Sequence, residues 1–425
     1  MTAQILERHG IEDGRPGAFG LARCDLVMVN EISGVLALEA LAQMGAQRVF
    51  DPSRVAIVCD HFVPAKDVRS ADMISRMRRF AREQGIENFW EAGGTREAGI
   101  EHTLLPEQGL VRPGDFIPGG DSHTCTYGAF AAFGTGMGST DMAAALALGE
   151  VWIKVPETER VQFAGTPGAF TTGKDLILAY IGRVGVAGAT YRALEFDGPA
   201  VSALGIDGRL ALCNMAVEAG AKTGLVAADA TTVAWLAERL DAPPAPLAPA
   251  PGAVYEHHTT IDVDGMGPLL AMPSSPGNVV AVGDAPAGTH VDQVYVGNCS
   301  NGTMTDLRQL AEMLRGHTVA RGTRLIVVPA TQRIYRQALA EGLVEVILEA
   351  GGMMSPPTCG ACYGGQNGIL GAGETAIATT NRNFRGRMGH RDSRVFLANA
   401  YVAGAAAVAG EIVAPGAVAP PGAPA

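Results

Sequence analysis

Residues 55–64, VAIVCDHFVP, and residues 71–85, ADMISRMRRFAREQG, decide the architecture. The first is a short apolar run that breaks at Asp60 and His61, the pattern of a buried strand ending in a polar loop. The second mixes apolar and charged residues and reads as the helix that follows. Strand, loop and helix in that order predict an α/β layer structure. Outward from this segment the alternation returns at 174–185 (KDLILAYIGRVG, helix), 193–198 (ALEFDG, strand end) and 212–222 (LCNMAVEAGAK, helix). It returns again at 292–302 (DQVYVGNCSNG, strand then loop), 307–316 (helix), 323–330 (TRLIVVPA, strand) and 331–342 (TQRIYRQALAEG, a helix closed by glycine). The proline-rich stretch Ala242 to Gly252, APPAPLAPAPG, supports no regular element and reads as a surface loop or linker. The expected division is three α/β domains, 1–157, 158–254 and 255–412. A low-complexity tail, 413–425, is expected to be disordered.

A chain of 425 residues, 47% of them hydrophobic, has material for more than one core. Its formal charge of −11 argues against nucleic acid as a partner, because phosphates call for a concentrated basic surface. The opening MTAQILERHGIEDG has charges where a signal peptide needs an apolar core. No apolar run is long enough to span a bilayer, so a cytoplasmic protein without a membrane partner is expected. Seven scattered cysteines are too few for a disulfide framework in a chain this long. Cys24, Cys59, Cys125 and Cys213 read as small buried residues.

The other three cysteines call for chemistry. Cys359 and Cys362 stand in PPTCGACYGG, and Cys299 in VGNCSNGT, both glycine-bearing loops that could wrap a metal. A C-x-x-C pair alone reads as half a zinc site, a redox pair or part of an iron-sulfur site. Zinc wants a second ligand pair and a redox pair wants a helix starting at its first cysteine; neither pattern is evident here. Three thiolates on a 4Fe-4S cluster would leave one iron open as a Lewis acid. Histidines beside carboxylates or hydroxyls form a second group: Asp60-His61 in CDHF, His102 in GIEHT, and Asp121-Ser122-His123 in GDSHT. A histidine held by a carboxylate suits acid catalysis of water elimination, although each one singly reads equally as a structural residue. The segment 381–394, NRNFRGRMGHRDSR, sets five arginines against one acid, and arginine is the natural bidentate partner of a carboxylate. The glycine-rich GTGMGST, 134–140, fits neither phosphate-binding pattern and reads as tight packing at a helix start.

In order, DHF, DSHTCTYGA, GTGMGSTDMA, GNCSNG, PPTCGACYGG and NRNFRGRMGHRDS resemble the aconitase superfamily over nearly the whole chain, most closely its 3-isopropylmalate dehydratase large-subunit branch. The resemblance implies three α/β domains around a 4Fe-4S cluster held by Cys299, Cys359 and Cys362, with one iron lacking a cysteine. It implies that Asp60 and His61 serve the substrate hydroxyl, and that His102, Asp121 and His123 organise water. It implies further that Glu195 is a carboxylate contacting one of these histidines, that Ser122, Arg382 and Arg387 face substrate, and that Gly297 and Asn301 shape the first cysteine loop. The chain departs from the family at Asn298, Ser300 and Thr303, around that loop.

The implied activity is dehydration and rehydration of a branched 2-hydroxy dicarboxylate or tricarboxylate, with isopropylmalate in leucine biosynthesis the leading case. Homoaconitase, citramalate and dimethylmalate hydro-lyases are the near alternatives, and a non-catalytic RNA-binding relative is the distant one. In the family the catalytic base lies on a mobile fourth domain, which the sequence does not reach. A small partner subunit is therefore expected to carry it.

Overall fold

The computed structural model describes residues 1–418. Val55–Cys59 is a strand with every residue buried, and Asp67, whose side chain accepts from Ser70 N, starts the helix Val68–Gln84. That helix buries Ile74, Met77, Phe80 and Ala81 on one face and ends at Gly85 in the left-handed region. The strand belongs to a five-stranded sheet in the order Phe89–Glu91, Val55–Cys59, Val27–Asn30, Phe116–Gly119, Phe133–Gly136. All its neighbouring pairs are parallel. The chain winds one way from Val27–Asn30 through the first two strands and the other way through the last two. Such a reversal opens a crevice at the carboxyl ends of the strands.

Contacts group the residues into two units. Of the described residues, one comprises 1–162, 189–198 and 212–260; the other comprises 163–188, 199–211 and those from 261 onward. The expected middle domain, 158–254, is thus shared between the two. Its edges lie within six residues of the crossings at 162/163 and 260/261. The first unit also contains strands Thr223–Val226 and Ala193–Asp197, which run parallel to each other and to the start of Thr158–Ala164. Its core gathers Ile5, Val29, Ile57, Met77, Phe116 and Leu146, among others. The proline-rich stretch forms no strand or helix and docks through Leu247, which exchanges backbone hydrogen bonds with Ala228. It is a packed surface loop.

The second unit is built on a seven-stranded sheet ordered Val279–Ala281, Leu269–Ala271, Arg394–Leu397, Thr375–Ala378, Gln293–Gly297, Arg324–Val328, Met353–Met354. Its last five strands are parallel, and an antiparallel pair closes one edge. Here the winding reverses at Gln293–Gly297. Helices Met304–Leu314 and Ala400–Ala409 share its core with these strands.

Two expectations need correction. Residues 212–222 are not one helix: Ile206–Asn214 ends there and Met215–Ala219 tightens into a 3-10 turn that closes at left-handed Gly220. Of the tail, residues 413–418 include the turn Pro415–Ala417 with Pro415 buried, and 419–425 lie outside the described residues. Among the described residues no helix is long and apolar enough to cross a membrane.

The glycines at 134 and 136 pack against the turn that carries Asp121. A Cβ on Gly134 would lie 2.1 Å from Thr124 O, and one on Gly136 2.7 Å from Asp121 O. Gly134→Ala should therefore cost about 1–3 kcal/mol, because a backbone atom cannot yield cheaply. Urea unfolding of the variant against the parent measures this, and an unchanged midpoint would contradict the packing.

Candidate active site

In the first unit, loops from three neighbouring strands bring their polar residues together. Asn30 and Glu31 follow Val27–Asn30, Asp60 and His61 follow Val55–Cys59, and Asp121 to His123 follow Phe116–Gly119. His102 joins them from the helix Glu101–Glu107. His61 Nδ1 stands 2.6 Å from Asp60 Oδ1, and its Nε2 lies 3.7 Å from Asp121 Oδ2. His102 Nε2 is 2.9 Å from Asp121 Oδ1, which also accepts from His123 N at 2.7 Å. Ser122 Oγ is 3.3 Å from His123 Nδ1.

Electrostatics follow from this arrangement. Burial disfavours charge on the His61 ring, yet Asp60, with Asp121 and Glu31, outweighs it and holds the ring well above the ordinary histidine range. Burial likewise opposes charge on Asp121, but hydrogen bonds from His102, His123 and His61 keep its carboxyl well below the usual range. The cluster therefore holds an imidazolium at His61 beside a carboxylate at Asp121. Glu31 is fully buried and accepts from the backbone N–H groups of Asp60, at 3.2 Å, and Phe62. Burial, then repulsion from Asp60, raises its carboxyl.

The carboxylate against His123 is Glu218, with Oε1 2.9 Å from Nε2. Glu195, expected in that place, is occupied elsewhere. Its Oε1 accepts from Thr2 N and Oγ1, and its Oε2 from the Tyr255 hydroxyl. The reason is topological: Glu195 lies mid-strand, whereas Glu218 lies in the 3-10 turn Met215–Ala219.

In the second unit the three candidate metal cysteines are buried. Cys299 follows the switch strand after Gly297, whose φ of 138° and whose absent Cβ, which would meet Val328 O at 1.9 Å, admit only glycine. Asn298 takes a left-handed φ of 70° and accepts from Ser300 N. Thr303 caps the next helix by a reciprocal pair with Asp306, so these departures serve the loop's geometry. Cys359 and Cys362 lie one 3-10 turn apart. The side-chain amide of Asn381 joins the two loops, with Nδ2 3.4 Å from Cys299 Sγ and Oδ1 3.4 Å from Cys362 Sγ. The buried Lys174 ammonium ties the Cys299 loop to the segment that follows Thr375–Ala378, donating to Asn301 Oδ1, Thr379 O and Thr380 O, and burial lowers it to about 8.

Among the described residues this unit has no fourth cysteine, and His390, in the arginine-rich segment, is exposed and accepts from Asp392 N. Three buried thiols that all act on the buried Tyr295 hydroxyl, with no fourth cysteine among the unit's described residues, fit an iron-sulfur cluster with one open iron better than a closed zinc site. The remaining cysteines suit a packing role: burial pushes Cys24 up to about 12 and Cys59 well above its usual range. Of the five loop arginines, Arg385 pairs with Asp392, Arg394 donates to Thr375 Oγ1, and Arg391 is exposed. Arg382 and Arg387 are half-buried, and Arg387 Nε is buried with no partner among the described residues.

The sequence model of the aconitase family (aconitate hydratase) matches residues 3–410. The chain belongs to the aconitase family. Its relatives include the 3-isopropylmalate dehydratase large subunit 2 of Rubrobacter xylanophilus, 54% identical over 96% of this chain and 95% of that one. The large subunit from Nitratidesulfovibrio vulgaris is 51% identical over 96% and 97%, and large subunit 1 of Methanopyrus kandleri is 46% identical over 96% of each. Aconitase X of Thermococcus kodakaraensis, in its holo-form crystal structure, shares the fold at 14% identity, with a TM-score of 0.50 over 85% of this chain and 84% of that one.

Within this aconitase-family chain, sequence reasoning missed Glu31, Glu101, Glu218, Asn381 and Lys174. Two of them carried a local signal: Asn381, inside the quoted arginine loop, and Glu101, the carboxylate beside His102 in GIEHT. Asp121→Asn should destabilise the protein by about 3 kcal/mol at neutral pH, since it removes the one carboxylate that His61, His102 and His123 share and leaves the buried imidazolium with Asp60 alone close to it. Asp121 has a folded-state value below the usual 3.8. Its contribution is therefore full above about pH 4 and fades as pH falls further. Urea unfolding of both proteins between about pH 7 and pH 3 should show the gap closing only at the acid end.

Proposed function

We propose that the chain is the large subunit of a hydro-lyase that isomerises a branched 2-hydroxy dicarboxylic acid, 2-isopropylmalate to 3-isopropylmalate, in the leucine biosynthesis of the cytoplasm. The observation that carries this reading is the meeting of Cys299 and Cys362 on the Asn381 amide in a unit without a fourth cysteine. The names of relatives near 50% identity support the substrate.

Cys299, Cys359 and Cys362 are proposed to hold a 4Fe-4S cluster with one iron free of cysteine. When bound, that cluster supplies a Lewis acid for the substrate hydroxyl and its neighbouring carboxylate. The chain's own residues supply the rest. His61, kept protonated by Asp60 and Asp121, has a proton for the departing hydroxyl and can recover it from water on the return step. Asp121 aligns His102 and His123, Glu218 holds the far nitrogen of His123, and Ser122 faces that ring's near nitrogen. Arg382 and Arg387 bind a substrate carboxylate, for which the open Nε of Arg387 is suited. The base that takes the carbon-bound proton comes from the small subunit, which we expect to carry the mobile fourth domain.

The test is anaerobic reconstitution with iron and sulfide, followed by assay with the small subunit on isopropylmalate, citramalate and homocitrate. Conversion should favour isopropylmalate, and preference for either other acid would reassign the substrate. Cys299→Ser should lower bound iron and sulfide and reduce kcat by about a hundredfold or more. A fully loaded C299S protein would remove Cys299 from the ligand set.

A further inference from the structure

The turn that carries Glu218 to His123 leads into a lysine with no charge opposite it. Gly220 closes that turn in the left-handed region, and the Lys222 N–H donates to Arg192 O at 2.8 Å, which fixes where the lysine side chain leaves the backbone. Among the described residues its ammonium makes one long hydrogen bond, 3.4 Å to Gly136 O. It lies 5.6 Å from the centre of the Tyr191 ring, which has the Lys154 ammonium at 5.7 Å as well. No carboxylate among the described residues forms an ion pair with Lys222; the acid whose charge it feels most is Asp141, which is exposed. Burial lowers the ammonium from its ordinary value, against the weaker support of Asp141 and Cys125. A half-buried cation without a counter-charge is costly, and an anion beside it relieves that cost.

Lys222 borders a cavity of about 340 Å³. Thr135 lines the same cavity; it is 0% exposed, and its Oγ1 has no hydrogen-bond partner among the described residues. Because Thr135 and Gly136 are consecutive, the unsatisfied hydroxyl and the ammonium on Gly136 O belong to one wall. Met137 and Val217 add apolar surface, and Ser122, whose Oγ is 3.3 Å from His123 Nδ1, separates the cavity from the catalytic histidines. An unpaired cation and an open hydroxyl beside apolar side chains are the complement of a carboxylate on a short alkyl chain.

We propose that this cavity is a further binding site, in which the Lys222 ammonium and the Thr135 hydroxyl hold the carboxylate of a short aliphatic acid. Two sources share this chemistry. One is a second carboxylate of the substrate, since Ser122 borders both the cavity and His123. The other is a free monocarboxylic acid that binds apart from substrate and presses on the Ser122 wall.

The probe is 3-methylbutanoate, which has an alkyl chain and one carboxylate but no hydroxyl to eliminate. Calorimetric titration into the large and small subunits together should show binding at millimolar concentration. Lys222→Met, which keeps the length of the side chain, should weaken it by about tenfold or more, and Thr135→Val by about fivefold. The threonine variant keeps the test decisive if the lysine variant fails to fold. No binding by the parent, or equal binding by parent and variants, overturns the site and leaves the cavity to water. Steady-state kinetics separate the two sources. If the acid competes with isopropylmalate and K222M raises KM in step with the loss of binding, the carboxylate is the substrate's; if it changes kcat without competing, the ligand is a separate acid. The titration needs no turnover, so its failure leaves the hydro-lyase reading standing, and a pair inactive on isopropylmalate leaves the site standing.

Discussion

Parallel strands that leave a central strand in opposite directions cannot cover their own carboxyl ends, and both large sheets of this protein have such a reversal. In the first unit it falls at Val27–Asn30, and Asp60, His61, Asp121 and Glu31 stand in the loops beyond it and its neighbours. In the second it falls at Gln293–Gly297, and Cys299, Cys359, Cys362 and Asn381 follow the ends of that strand and of Met353–Met354 and Thr375–Ala378. One constraint of chain winding thus collects, in each unit, residues that are dozens of positions apart in sequence.

The collected groups are then held by burial and mutual charge. Asp121 is ionised because three histidines face it, and His61 is charged because Asp60 and Asp121 do. Glu31 and Glu101 sit so deep that burial opposes their ionisation, and they act through shape and hydrogen bonds. Glu31 accepts the two N–H groups that define the Asp60 turn. In the second unit Asn381 does the corresponding work with an amide, tying the loops that bear Cys299 and Cys362, and the Lys174 ammonium ties the first of these to the carbonyls of Thr379 and Thr380. Each cluster is as well supported from behind as it is furnished in front.

Much of this was legible in advance where chemistry is local. The strand at 55–59, the helix at 174–185, the cysteine loops and the DH and DSH turns all follow from apolar runs broken by glycine and polar residues. The separation of Arg382 and Arg387 from the outward arginines was legible only by likeness to relatives. Glu195 and Glu218 show the limit plainly. Both are acids amid apolar neighbours, and nothing near either reveals which one a helical turn will carry to His123. The glycines at 134 and 136 were read as helix packing, but the backbone they accommodate is the turn at Asp121.

The order of residues along the chain determined the alternation of strands and helices, the three cysteines free of disulfide partners, and the kinds of group available for acid chemistry, because these depend on periodicity and composition over a few residues. Which acids meet which histidines, which thiols share an amide, and which carboxyls lose their charge were decided only by the fold. Those outcomes depend on burial and on contacts between residues as much as 95 positions apart, as in His123 and Glu218, and no local pattern encodes either quantity.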